Sequence, residues 1–209
     1  MLRRPIRAAR DLRGQRGVIV VVALVAILVM ALSAAALLRS VDTSVAVAGN
    51  LGFMQAAQSA ADDAVERAVA ALFEQRLVVD PSSDDSANGY FASRQPAENT
   101  RGVPRALQAL ASYPSDAPVL DAGNGNTVRY VIERMCLAAG GATADNCLLA
   151  PTREPPLAMP GEPLVEPPLV PVFRQTIRVD GPNSATQFVQ AWLADIPGRR
   201  RLAWRALAD

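Results

Sequence analysis

Residues Val18–Leu38 read VIVVVALVAILVMALSAAALL, a run of 21 residues in which Ser33 is the one polar side chain. As an α-helix rising 1.5 Å per residue the run is about 31 Å long, against about 30 Å for the hydrocarbon core of a bilayer. A helix apolar on all faces is rare in the core of a water-soluble protein; this run is apolar all round, the pattern of a membrane-crossing helix. The residues before it set its direction. Arg3, Arg4, Arg7, Arg10, Arg13 and Arg16 stand against the single acid Asp11. A basic flank stays on the cytoplasmic side, so residues 40–209 are expected across the membrane, in the periplasm of a two-membrane bacterium.

A secretory signal peptide also begins basic and then apolar, but its apolar run is about 7–15 residues long and ends at a small-x-small cleavage site. Ala34, Ala35 and Ala36 offer such a site. The longer run, passing into further helix-compatible sequence, favours retention of the helix.

Composition narrows the chemistry. The formal net charge is +1, yet the basic excess sits in residues 1–17 and the remainder is net acidic, so nothing argues for nucleic acid as a partner. The chain has no His and no Lys, which removes the commonest general base and the commonest metal ligand. No phosphate-binding loop, G-x-S-x-G elbow or dinucleotide fingerprint is present. No catalytic residue, cofactor or metal is assigned, and the chain is expected not to be an enzyme.

Beyond the apolar run, Ala57, Ala60, Ala64, Ala68 and Leu72 recur at helical spacing, while Gln55, Gln58, Ser59, Asp62, Asp63, Glu66, Arg67 and Glu74 fall elsewhere. Residues 39–79 therefore read as an amphipathic helix whose alanine stripe allows close packing on a sheet or a second helix. Gly49, Asn50 and Gly52 interrupt the pattern. A glycine inside a helix costs about 1 kcal/mol relative to alanine, so a bend or local melting is expected there.

Residues 80–126 read as an exposed irregular region. It opens on the acidic turn Pro81–Gly89, and one short helix falls between Pro104 and Ala111. Asp80, Asp84 and Asp85 are calcium candidates, but their spacing fits no D-x-[DN]-x-[DN]-G loop. An antiparallel sheet is expected over 127–196. Val128, Tyr130, Ile132 and Cys136 alternate with Arg129 and Glu133, the period of a half-buried strand; Phe173, Ile177 and Val179 alternate with Arg174, Thr176 and Arg178. Asp180–Asn183 form a turn, and Ala185–Ala194 return as the partner strand. Residues 151–171 hold eight prolines and read as an extended loop. Residues 197–209 read as a basic tail.

Cys136 and Cys147 enclose the flexible stretch LAAGGATADN. In an oxidising compartment they are expected to form a disulfide, worth roughly 3 kcal/mol in the chain-entropy account. C-x-x-C spacing is absent, and two cysteines without histidine do not complete a zinc site.

The order of these pieces resembles a known family. A basic segment, then Gly17, then Val18 opening an apolar run is similar to the leader that prepilin peptidase cuts after the glycine. Ala48-Gly49-Asn50, then Gln55-Ala56-Ala57, and the closing PVFRQTIRVDGPNSATQFVQAWLA (Pro171–Ala194) follow the order of PilX-type minor pilins of type IV pili. The resemblance implies a pilin-like α+β fold, with a long N-terminal helix, half membrane-embedded and half amphipathic, packed on a small antiparallel sheet. It implies processing between Gly17 and Val18, with Val18 becoming the methylated N-terminus. The implied partners are major and minor pilins, prepilin peptidase, the inner-membrane assembly platform and membrane lipid. The implied role is priming, a tip position or a rare shaft position in the pilus at the cell surface, with adhesion or aggregation as further family roles.

Two positions depart from the family pattern. Shaft pilins carry Glu as the fifth mature residue, where this chain has Val22, and Gln58 stands where Glu often follows Gln-Ala-Ala. Without that carboxylate there is no partner for a neighbour's N-terminal ammonium in apolar surroundings, which suits a fibre end or a rare insertion. A type II secretion minor pseudopilin and a plain membrane-anchored periplasmic binding module are the alternatives.

Overall fold

The computed structural model describes residues 16–78, 80–95, 98–153 and 166–207. The expected leader residues 1–15, positions 154–165 of the proline-rich loop and residues 208–209 of the expected tail lie outside the described residues. The chain divides into two compact units at Leu51/Gly52, and helix α1 (Arg16–Val69) contributes to both. The fold is α+β: the long N-terminal helix supplies the layer that packs on a mostly antiparallel sheet in the second unit.

In the first unit α1 is fully helical, and its side chains from Gly17 to Asn50 are exposed. Local melting at Gly49–Gly52 is not found: these residues are α-helical.

In the second unit α1 buries one face. Ala57, Ala61, Ala64, Val65 and Ala68 are completely buried, with Phe53, Ala60 and Leu72 partly buried against the same core. The polar residues read as the outer face are all exposed. The stripe is therefore centred on Ala61 and Val65, with Ala60 and Leu72 at its margin. Alanine keeps the helix close to the sheet, close enough for the buried Gln175 side chain to donate to the Ala64 carbonyl at 2.9 Å. The helix ends in a wider π turn (Ala70–Glu74). Arg76, at φ 48°, takes the left-handed position after it, and the Leu77 amide reaches back to the Ala71 carbonyl at 2.8 Å. That bond, from an amide six residues on, satisfies a carbonyl that the helix end would otherwise orphan.

Among the described residues the sheet has seven strands: β1 (Tyr90–Phe91), β2 (Val119–Asp121), β3 (Thr127–Arg134), β4 (Leu149–Pro151), β5 (Leu169–Asp180), β6 (Thr186–Ala194) and β7 (Arg201–Leu207). The main path runs β1-β3-β5-β6-β7, with β2 on β3 and β4 on β5; β1 alone pairs in parallel. Register places Tyr130 opposite Ile177 and Ile177 opposite Val189. These residues belong to the core shared with the helix.

Three expectations need correcting. Residues 80–126 are not simply an exposed loop. The short helix α2 (Arg105–Gln108) and its flanks bury Val103 and Leu107 against Val131, Phe188 and Leu207 on the other face of the sheet. That cover makes β3 and β5 buried on both faces, so Glu133, Arg174, Thr176 and Gln190 are interior and not solvent-facing. Residues 201–207 form an edge strand, not a tail. Pro197 and Gly198 (φ +73°) turn the chain, with the Arg199 amide bonding the Ile196 carbonyl at 3.0 Å, and β7 then pairs with β6.

Candidate functional site: a bare apolar helix and its first residues

Between Val18 and Leu38 the first unit displays fourteen large apolar side chains, each more than half exposed. Burying such a side chain is worth about 1.5–3 kcal/mol. Leaving all of them in water therefore costs on the order of 20–40 kcal/mol, more than the roughly 5–15 kcal/mol that holds a domain folded. The segment requires an apolar surrounding supplied from outside this unit. It is long and apolar enough to cross a membrane.

The helix is also prepared for such a medium in its polar atoms. The Ser33 hydroxyl donates to the Val29 carbonyl at 2.8 Å, so the lone polar side chain of the run is satisfied within the helix. Thr43 and Ser44 make the same i−4 bond to Arg39 and Ser40, at 2.9 and 2.8 Å. Beyond its first turn the unbroken α-helix satisfies its backbone groups within itself, as hydrocarbon demands.

Gly17 and Val18 occupy the first turn of α1, and Val18 is 63% exposed. A Cβ placed on Gly17 would meet nothing within 4 Å. No contact in the described chain needs a glycine there. Val22 is likewise exposed, with no polar group placed at that position of the helix.

Cys136 and Cys147 are joined as a disulfide in the second unit, at the end of β3. They pair as an isolated antiparallel bridge, and the loop between them is organised by Asn146. Its main-chain carbonyl accepts from the Leu137 amide, and its side chain bonds both the amide and the carbonyl of Ala138. Leu137, at the start of that loop, is 80% exposed. The disulfide and the Gly17–Val18 bond belong to different units.

The acidic turn does not gather its carboxylates. Asp80 accepts from Ser82 and Ser83, whose hydrogen bonds hold it below the usual carboxylate range. Asp84 accepts from the Ala92 amide at 2.7 Å and Asp85 from the Asn88 side chain at 2.8 Å. Among the described residues no group of three or more Asp, Glu, Cys or His is placed to hold a metal ion.

Sequence reading missed a buried charge cluster on the second face of the sheet. Arg174 donates to Glu133 at 2.7 Å and to Glu98 at 2.6 Å; Glu133 also accepts from the Gln95 amide at 2.7 Å, and Arg94 reaches Glu98 at 3.0 Å. Burial pushes the Glu133 carboxyl up, against the opposing charge of Arg174. Burial also pushes Glu98 up, but the hydrogen bonds and charges of Arg174 and Arg94 outweigh it and hold Glu98 below its ordinary value. Cavities of about 330 to 560 Å³ open elsewhere on the unit, against α1, β4 and β7, and are lined by other residues. The cluster's work is structural: it ties Gln95 and Glu98 to β3 and β5. The signal available in sequence was the opposite sign of Glu133 and Arg174 in paired strands, but their register is not readable without the fold.

No family model matches the chain, and no curated protein or solved structure matches it either.

Proposed function

We propose that this chain is a minor pilin-like subunit of the PilX type, held in the inner membrane by Val18–Leu38 until assembly, with residues 40–209 in the periplasm. The observation that carries the reading is the junction at Gly17. Helix α1 runs through it, and from Val18 to Leu38 fourteen large apolar side chains stand exposed directly after that glycine. A peptidase that needs a small residue before the cut fits Gly17 at this place. The α+β unit and its disulfide are the kind of extracytoplasmic domain such a subunit presents. Val22 in place of a carboxylate fits an end or rare position in the fibre.

Two measurements on the full chain test this. Coexpression with an active prepilin peptidase lowers the intact mass by the 17-residue segment Met1–Gly17 and adds a methyl group at Val18, and Gly17→Trp abolishes the shift. Before assembly the processed chain leaves the membrane fraction only with detergent. An unshifted wild-type mass, with the peptidase cutting another prepilin in the same cells, removes the pilin reading and leaves a membrane-anchored periplasmic domain. Recovery of the unassembled chain in the soluble periplasmic fraction removes the anchor as well.

A further inference from the structure

The chain contains two Asn-Gly pairs, Asn88-Gly89 and Asn124-Gly125. In this dipeptide the backbone nitrogen of the glycine can attack the amide carbon of the asparagine side chain, because glycine puts no Cβ in the way. The five-membered ring closes only if the asparagine backbone rotates to bring that nitrogen onto the side chain. What holds each pair in the fold therefore decides whether it reacts.

Asn88-Gly89 is held at the groups the reaction needs. The Asn88 side-chain amide donates to Asp85 at 2.8 Å, and the Gly89 amide, the nucleophile, donates to the Ser86 carbonyl at 2.8 Å. The Gly89 carbonyl accepts from the Ile132 amide at 2.7 Å, and a Cβ on Gly89 would lie 3.0 Å from the Tyr130 carbonyl, so this buried glycine is pinned against β3. Asn124-Gly125 is the opposite case. It is the centre of the tight turn joining β2 to β3, with Asn124 at φ 54° and Gly125 at φ +77°, the signs of a type I′ turn. Both residues are exposed, and among the described residues neither the Asn124 side chain nor the Gly125 amide is hydrogen-bonded. The turn is closed by the Asn126 amide on the Gly123 carbonyl at 2.9 Å and the Ala122 amide on the Asn126 carbonyl at 3.0 Å.

We infer that Asn124 is a site of spontaneous deamidation, and that its modification unties β2 from β3. The Gly125 nitrogen gives up its proton to solvent and bonds to the Asn124 side-chain carbon. The bond from that carbon to the side-chain nitrogen breaks, and the nitrogen takes up a proton and leaves as ammonia. Water then opens the ring at either carbonyl, giving aspartate or isoaspartate at position 124; the sum is one water consumed and one ammonia released. Isoaspartate routes the main chain through the side-chain methylene and so adds an atom to the turn, and either product adds a negative charge beside Asp121. β2 is joined to β3 by three residue pairs, Val119 to Arg129, Leu120 to Val128 and Asp121 to Thr127, and the last adjoins the altered turn. The site lies wholly in the second unit and does not depend on processing of the N-terminus.

The test ages the full chain in detergent micelles at mildly alkaline pH and maps it by mass spectrometry, with electron-transfer fragmentation to tell isoaspartate from aspartate. In the folded chain position 124 is modified at least about tenfold faster than position 88, whose reacting groups must first lose their two hydrogen bonds. In urea the two positions react at similar rates. Hydrogen–deuterium exchange across residues 119–121 speeds up in the aged chain but not in aged Asn124→Gly, which keeps a turn-forming residue and has no side-chain amide. Equal rates at the two positions in the folded chain overturn the assignment, as does an unmodified position 124 after a time in which the urea-unfolded chain reacts. Modification at 124 with exchange in β2 unchanged overturns the consequence drawn for β2.

Discussion

Replacing Arg174 with methionine removes the cation between two carboxylates while keeping most of the side chain's length. Glu133 is completely buried and would keep the Gln95 amide as its remaining donor; Glu98 would keep Arg94. Removing one partner of a buried ion pair costs about 3–5 kcal/mol, because the other charge stays behind uncompensated. With a urea dependence of about 2 kcal/mol per molar, the unfolding midpoint should fall by about 2 M at neutral pH. The pH dependence carries a second signature. Glu133 is held above its ordinary value, so its contribution is fully present below the unfolded carboxyl pKa and is lost as pH rises through the folded one. Glu98 is held below, so its contribution is present above the unfolded value and is lost as pH falls. The two oppose each other in the native protein. In Arg174→Met the Glu98 depression shrinks and the Glu133 elevation grows, so stability should fall as pH rises from about 4 to 7. The chain's two tryptophans, Trp192 and Trp204, both lie in the sheet, and their fluorescence reports unfolding of that unit in the detergent-solubilised chain. A midpoint loss below about 0.5 M at pH 7, or a deficit no smaller at pH 4 than at pH 7, refutes the assignment of this cluster as the clamp.

Two further outcomes follow from packing and from the crosslink. A Cβ on Gly181 would lie 2.2 Å from the Phe53 ring; Gly181→Ala must displace that ring, and should destabilise the unit by about 1–3 kcal/mol in urea unfolding, whereas Gly198→Asn, at an open left-handed turn position, should change it little. Cys136→Ser should cost about 2–4 kcal/mol and leave Cys147 reactive, while thiol labelling of the denatured, non-reduced wild type should find no free sulfhydryl.

What the sequence discloses and what it hides have separate causes. The apolar run, the alanine stripe, β3 and the β5–β6 hairpin are carried by periodicity within short windows, and each stands within a few residues of its expected place. The stripe is displaced from Ala60 to Ala61 because an alanine-rich face offers several similar lines, and contact with the sheet selects among them. Residues 80–126 defeat a local reading because their burial depends on few and widely spaced anchors, Tyr90, Val103 and Leu107. These are held by bonds from distant strands, such as Arg178 donating to the Leu107 carbonyl at 2.9 Å.

The same dependence explains why charged residues misled. Arg174 and Glu133 alternate with apolar neighbours as an outward-facing row would, and only the cover provided by Arg94, Gln95 and residues 98–108 turns that row into interior. Its two halves are 41 positions apart and pair across β3 and β5. β7 is a different case, since its signal was local. Pro197-Gly198 marks a turn, and Leu202–Leu207 is a short, mostly apolar run in which Arg205 is the one polar residue, of the length of a strand. A run of three arginines at its start gives the segment the composition of a solvated tail. In the fold those arginines are what an edge strand needs: two reach across to Asp62 and Glu74 and fasten the strand to the helix, and the third, Arg199, is left at the mouth of a cavity.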